Sequence, residues 1–249
     1  MRELAGRVAV VTGAAANIGR AIALDLAQGG ARVVVNARTS GPAAEATAAA
    51  IRAAGGEAFV HLADVTDEAA TAGLMQAAAD RFGAIDILVN NAAIRRETAF
   101  AELGFAEWRE VLAVILDGAY LCSRAALPFL RASAQACIVN IGGLSAHTGS
   151  PRRAHVVTAK AGLVGLTRGL AHDLAGDGIT VNLVVPGLID TVRGASALGT
   201  PAMHALHKTL VGRRGRPEEV AAVVRFLCGP QSRYMTGQTL HPNGGAYLP

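Results

Sequence analysis

The stretch Val8-Ala-Val-Val-Thr12-Gly13-Ala-Ala-Ala-Asn17-Ile18-Gly19-Arg20 decides the fold. Its four opening apolar residues, Val8 to Val11, suit a strand covered on both faces, because a half-exposed strand would alternate with polar residues. Gly13 permits a sharp turn, and Gly19 lets the helix that follows pack close to the sheet. The backbone N–H groups at that helix start make a seat for a pyrophosphate. A strand-turn-helix with incidental glycines would look the same locally, so the rest of the chain has to decide.

The rest keeps the same alternation. Helical spacing at Ile22, Leu24 and Leu26 ends at Gly29-Gly30, and Val33 to Val35 forms a second strand. An alanine-rich helix from Ala43 to Ala54 leads to a third strand, Ala58 to Leu62. A helix from Ala69 to Phe82 precedes a fourth, Ile85 to Val89. Then come a long helix from about Phe105 to Ala132, a strand at Ala136 to Ile141, a second long helix from His155 to Gly176, and a strand at Thr180 to Val185. Pro217 opens another helix with acids in its first turn, and Gln238 to His241 supplies the last strand. Strands and helices joined by short loops imply parallel pairing through right-handed crossovers. The expected fold is α/β: a doubly wound, Rossmann-type, mostly parallel seven-stranded sheet, one domain over residues 1–249. Its ligand crevice lies at the strands' carboxyl ends. Residues 188–214 carry breaks and little periodicity, and read as a substrate flap.

Composition narrows the function classes. A chain of 249 residues that is 51% hydrophobic can bury one sizeable core. The formal charge of +4 is mild and its basic residues are dispersed, so no nucleic-acid partner is expected. Cys122, Cys137 and Cys228 have no metal spacing and are odd in number, which reads as three reduced, buried thiols and no metal. The N-terminus lacks a signal peptide's apolar region, and no apolar run reads as long enough to cross a membrane. A cytoplasmic protein with no membrane partner is expected.

The punctuation along the chain resembles the short-chain dehydrogenase/reductase superfamily, most of all its single-domain branch that includes 3-oxoacyl-carrier-protein reductases. The resemblance covers essentially the whole sequence. It rests on Thr12-Gly-x-x-x-Asn-Ile-Gly19, Asp64-Val65, Asn90-Asn-Ala-Ala93, Lys160-Ala-Gly, Pro186-Gly187 with Thr191, Gly212-Arg-x-Gly-x-Pro-Glu-Glu-Val220 and Gly237-Gln-x-Leu-x-Pro-Asn-Gly-Gly245. It implies that Gly13, Asn17, Ile18 and Gly19 form the pyrophosphate turn and that Asp64 and Val65 hold the adenine. Asn90 and Ala92 would lie behind the cofactor, Lys160 would hold its ribose, and Pro186, Gly187 and Thr191 would face its nicotinamide end. Asn17 stands where the family usually has a glycine, and Asn tolerates the left-handed backbone that such a position needs. The second strand ends Asn36-Ala37-Arg38, with a cation and no acid for the ribose hydroxyls, which favours NADP(H) over NAD(H). The resemblance also implies a homotetramer built on the two long helices, where Val111, Leu112, Leu116, Leu121, Leu163, Leu166 and Leu170 recur at helical spacing. Packing against the sheet would explain the same residues.

One departure governs the functional reading. Enzymes of this family pair a tyrosine with a lysine four residues later, with a serine and an asparagine upstream. With Lys160 setting the register, those positions are Val156, Gly143 and Ile115. The longer spacing of enoyl reductases would put the tyrosine at Arg153, which does not serve either. Ser145 lies two residues from the serine position as a partial substitute. Lys160, His155, His147 and Ser145 are therefore the candidate catalytic groups. Arg95, Arg96, Arg152 and Arg153 form a cationic mouth suited to a small anionic substrate. Three classes stay open: a nicotinamide-dependent oxidoreductase with impaired hydride transfer or an atypical acid, a non-redox lyase, isomerase or hydrolase using the same pocket, and a nucleotide-binding pseudoenzyme acting as sensor or partner subunit.

Overall fold

The computed structural model describes residues 2–191 and 208–249. Seven strands lie in the order β3-β2-β1-β4-β5-β6-β7. They are β1 (Val8–Val11), β2 (Arg32–Ala37), β3 (Ala58–Leu62), β4 (Ile87–Asn90), β5 (Cys137–Ile141), β6 (Thr180–Val184) and β7 (Thr239–Leu240). Every neighbouring pair is parallel. The helices between them are α1 (Asn17–Gln28), α2 (Gly41–Ala53), α3 (Glu68–Phe82), α4 (Phe105–Leu112), α5 (Gly118–Arg131), the short α6 (Ser145–Thr148), α7 (Ala154–Asp173) and α8 (Pro217–Cys228). Chain order reverses direction across the sheet between β1 and β4, which places a crevice at their carboxyl ends.

The unbroken apolar run of β1 has a direct cause. Ala9 and Val11 pack with α1, α2 and α8 on one face, while Val8 and Val10 pack with α3, α5 and the end of α7 on the other. Both faces are dry, so no polar alternation survives. Two polar side chains fasten the opposite, amino-terminal end of the sheet. Asp86 accepts from the Val8 N–H at 2.7 Å and from the Ser133 hydroxyl at 2.5 Å. Arg7 donates to the carbonyls of Cys228 and Gln135 and, at 3.9 Å, to Cys137 Sγ. All three cysteines are buried and free, as the sequence implied.

The structure corrects the sequence reading at several points. The first helix begins at Asn17, five residues before the periodicity shows at Ile22. The long helix runs from Phe105 to Arg131 but is widened by a π turn over Ala113–Asp117, in which the Gly118 N–H reaches back to Ala113 O. Close packing accompanies this widening: a Cβ on Gly118 would stand 2.8 Å from Val65 Cγ2. This stretch is also long and apolar enough, by length and composition, to cross a membrane, contrary to the expectation that no run was. Its apolar residues instead pack on the neighbouring helices and the sheet: Cys122, Ala126 and Leu130 in one cluster, Val111, Ile115 and Ala119 in another. Leu112, Leu116 and Leu166 cover that second cluster, so core packing accounts for much of the periodicity that also suggested an interface. Of the flap at 188–214, residues 192–207 lie outside the described residues. Its two ends are clamped together by Asp190 N–H to Gly215 O at 2.8 Å and Gly215 N–H to Leu188 O at 3.0 Å.

Candidate active site

The turn after β1 is held in shape from three sides. Gly13 and Asn17 both take left-handed backbone conformations, with φ of 61° and 52°. Asn17 thus occupies the conformation that made it an acceptable replacement for glycine. Gly19 is required by contact: a Cβ there would lie 2.3 Å from Gly13 O and 2.4 Å from Asn91 Nδ2. The Thr12 hydroxyl accepts from the N–H groups of Asn91 and Ala92 at 2.9 and 3.0 Å. Asn91 Nδ2 donates to the carbonyls of Thr12 and Gly13 at 2.9 and 3.0 Å. From the other side, Asn36 O accepts from the Ala14 N–H at 2.8 Å, and Asn36 Nδ2 donates to the His61 and Ala63 carbonyls, both at 3.1 Å.

The Arg20 N–H bonds Ala16 O at 3.1 Å, so the N–H groups of Ile18 and Gly19 precede the first intrahelical bond, where a helix start favours an anion. The turn therefore fits a dinucleotide's pyrophosphate. Replacing Gly19 with Ala is expected to destabilise the fold by about 1–3 kcal/mol and to weaken NADPH binding at least about tenfold, because backbone must move. Thermal denaturation and a fluorescence titration measure both.

Arg38 lies 3.8 Å from Asp64, with their side chains 54% and 35% exposed. Burial opposes ionisation of Asp64. The Thr66 N–H and hydroxyl, bonded at 3.0 and 2.8 Å, outweigh it with help from Arg38 and hold the carboxyl below its usual range. So exposed an ion pair contributes little stability, and Arg38 can turn to a phosphate at small expense.

Deeper in, Asn90 Nδ2 donates to Asn140 Oδ1 at 2.9 Å and Ser123 Oγ at 3.1 Å, and Asn140 passes the chain to Thr167. Pro186 O accepts from the Leu144 N–H at 3.1 Å, and Gly187 is so close to Asn243 that a Cβ would stand 2.6 Å from its Cα. Thr191 Oγ1 accepts from Arg95 at 3.4 Å.

The three positions that the resemblance assigns to Asn, Ser and Tyr hold Ile115, Gly143 and Val156, and the first and last of them are dry. Ile115 and Val156 are 2% and 3% exposed and belong to one apolar cluster with Val111, Ala119, Ala159 and Leu163. Gly143 faces open space: a Cβ there would meet only Lys160 Cγ, at 4.0 Å. Lys160, on α7, is buried and donates from Nζ to Ile141 O at 2.5 Å. Burial, and then the positive charges of Arg95 and Arg153, bring its pKa down to about 7. Ser145 is buried at the start of α6.

The remaining candidates do not converge on this lysine. His155 is wholly buried between α7 and α4, its Nε2 at 3.2 Å from Glu107 Oε1, and so does not line a mouth. Glu107 is itself held below the usual carboxylate range, first by the Thr98 hydroxyl at 2.7 Å and, against burial, by His155. His147 packs against the His241 and Tyr247 rings, with centroids 4.7 and 5.5 Å away. Burial and Arg168 push its pKa down. Arg96 Nη2 donates to both carboxylate oxygens of Glu110 at 3.0 Å, and Arg152 lies 3.8 Å from Glu102. Of the four mouth arginines, Arg95 and Arg153 are the two whose charge acts on the lysine. Asn36 and Asn91 were quoted in the sequence motifs but given no role of their own. The available signal was a buried-strand pattern ending in a carboxamide, which is too common to single out.

The family model described as Enoyl-(Acyl carrier protein) reductase matches residues 13–247. The 3-oxoacyl-[acyl-carrier-protein] reductase of Synechocystis sp. is 39% identical over 249 residues, covering all of both chains. This chain belongs to the short-chain dehydrogenase/reductase superfamily. FabG of Vibrio cholerae, also a 3-oxoacyl-[acyl-carrier-protein] reductase, is 37% identical over 99% of each chain. Among solved structures, a dehydrogenase/reductase from Sinorhizobium meliloti superposes with a TM-score of 0.92 at 35% identity, covering 99% of this chain and 97% of its own. A short-chain dehydrogenase from Burkholderia cenocepacia in complex with NADP gives 0.91 at 35% identity, covering 98% and 99%.

Proposed function

We propose that this chain is an NADP(H)-linked oxidoreductase of the short-chain superfamily in which hydride transfer to ordinary ketones is slow. The observation that carries the reading is the dry cluster of Ile115 and Val156 beside an empty Gly143, set next to an intact nucleotide turn and a buried lysine. The bound nicotinamide supplies the hydride. Gly13, Asn17, Ile18 and Gly19 hold the pyrophosphate, Asp64 and Val65 the adenine side, and Arg38 the 2′-phosphate. Asn90 and Ala92 lie behind the cofactor, and Pro186, Gly187 and Thr191 flank its far end. The proton for the product oxygen falls to Lys160 or to water that it holds, since position 156 carries Val in place of a phenol. Arg95 and Arg153 favour a small anionic substrate. The NADP named with the Burkholderia cenocepacia structure supports the choice of cofactor.

Fluorescence titration of the purified protein is expected to show NADPH binding about tenfold or more tighter than NADH, with the preference lost in Arg38→Ala. Failure of both nucleotides to bind would end the oxidoreductase reading. The same proposal includes a cytoplasmic homotetramer. Phe105 and Tyr120 on the long helix are 76% and 52% exposed in the single chain, and apolar surface of that kind calls for cover. Light scattering on the eluted protein tests the four-chain mass.

A further inference from the structure

Two histidines and a tyrosine meet from three separate parts of the chain. His147 lies on α6 after β5, His241 directly follows β7, and Tyr247 belongs to the last stretch of the sequence. The two imidazole rings meet edge to face with centroids 4.7 Å apart, and the Tyr247 ring lies 5.5 Å from His147 and 5.3 Å from His241. His147 Nε2 and His241 Nδ1 are buried and have no hydrogen-bond partner among the described residues. Among those residues no carboxylate stands within ion-pair distance of either ring. The further charged group that acts on His147 is Arg168 on α7, a cation itself. A proton on either ring therefore sets an uncompensated charge against the other, and the cluster suits two neutral imidazoles.

These rings help to hold the end of the chain. His241 is fixed by the bonds on each side of it, Val185 N–H to Leu240 O at 2.8 Å and Gly187 N–H to Pro242 O at 3.2 Å. Past Pro242 the hydrogen bonds are largely internal. Asn243 Nδ2 donates to Tyr247 O, and Asn243 Oδ1 accepts from the Gly245 N–H, both at 2.8 Å, while the Val211 N–H reaches Gly244 O at 3.2 Å. Ala246 and Tyr247 meet the body of the protein by packing on Leu144 and Leu188, and Tyr247 also on the two imidazoles. Leu188 follows Gly187, and the Leu144 N–H donates to Pro186 O, so the chain end covers the carboxyl ends of β5 and β6.

We propose that His147 and His241 form a proton-sensitive latch, closed while both rings are neutral, which releases residues 243–249 from the carboxyl ends of β5 and β6 when either ring is protonated. In the open form both rings meet water and titrate in the ordinary range, near pH 6.5. In the closed form burial holds both lower, with Arg168 adding to this at His147 and His147 at His241. The open form thus binds protons that the closed form refuses. Above about pH 6.5 the latch keeps its full strength, and below it opening gains up to about tenfold per ring for each pH unit. Neither nucleotide nor substrate takes part, so the inference goes beyond the NADP(H) reading and stands or fails separately from it.

Hydrogen–deuterium exchange of the full chain, corrected for the intrinsic effect of pH, tests the latch. Between pH 7.5 and pH 5.5 the protection of peptides within 241–249 is expected to fall about tenfold or more, while peptides from β1 and β4 keep theirs. His147→Gln with His241→Gln removes both titrating groups and is expected to reduce the change to less than about twofold. Absence of protection at pH 7.5, an equal fall in β1 and β4, or a folded double variant that keeps the pH dependence each overturns the proposal. A second measurement needs no folded double variant: proton NMR of the natural protein, with each imidazole assigned from a single substitution. Both rings are expected to titrate below about pH 6.5, and titration of either at or above that value overturns the latch.

Discussion

Combining Ile115→Asn, Gly143→Ser and Val156→Tyr is expected to raise NADPH-dependent reduction of a small ketone by about 10²–10⁴-fold in kcat/KM, the usual worth of a positioned general acid with oxyanion donors. The structure says where each group has room. Position 143 faces open space with Lys160 Cγ at 4.0 Å, so a serine side chain enters without displacing anything. Position 156 lies on the same face of α7 as Lys160, one turn earlier, so a phenol there stands beside the ammonium that lowers its pKa. Position 115 sits in a π turn that is already widened. The helix therefore does not need to change its geometry to receive a carboxamide. Packing opposes the change, since Val156 and Ile115 are nearly dry and a larger or polar group in that cluster costs about 1–3 kcal/mol. That lowers Tm by a few degrees and leaves the protein folded. Because such groups act as a unit, Val156→Tyr alone should recover much less than the triple variant. A folded triple variant that binds NADPH and shows no gain would mean that the scaffold has drifted beyond the three positions.

The fold was legible because its signals were local and repeated. Val8 to Val11 and Val33 to Val35 are apolar on successive residues, which only a strand covered on both faces explains, and both proved to be central strands. The left-handed Asn17 was also legible, since few residues tolerate that backbone and the motif demands it. What escaped was set by contacts between distant segments. The π turn at Ala113–Asp117 has no composition of its own. It sits where Gly118 must approach Val65, and nothing near either residue announces the other. Likewise, the arginines at the mouth look equivalent in sequence. Glu110 and Glu102 pair with Arg96 and Arg152, while the charges of Arg95 and Arg153 bear on Lys160. His155 looked like a mouth residue because it opens a helix beside the site. Its position on the face toward Glu107 depends on how α4 packs, which periodicity does not reveal.

Lys160→Met is expected to make the protein more stable at pH 6 and to lose that advantage as the pH approaches about 10, the ordinary range of a lysine. The buried ammonium is disfavoured in the folded chain, where its pKa falls from 10.5 to about 7. Between those values the unfolded chain binds a proton that the folded chain does not, so the natural protein gains stability as pH rises through that window. Below it the lysine carries its full penalty. At about 1.4 kcal/mol per unit the shift sets an upper bound of roughly 5 kcal/mol. Methionine fills a similar volume without charge but leaves the Ile141 carbonyl without its donor, a loss of about 1–3 kcal/mol. The net expectation is a gain of about 2 kcal/mol at pH 6, or about 4–8 °C in Tm. Melting curves of both proteins from pH 6 to pH 10 check this, and parallel profiles would show that Lys160 is not held at a penalty. On the NADP(H) reading, a residue that weakens the fold at neutral pH beside Ile115, Gly143 and Val156 finds its reason in what it would bind. A dinucleotide ribose would supply that reason, and the pH profile measures the strain it would relieve.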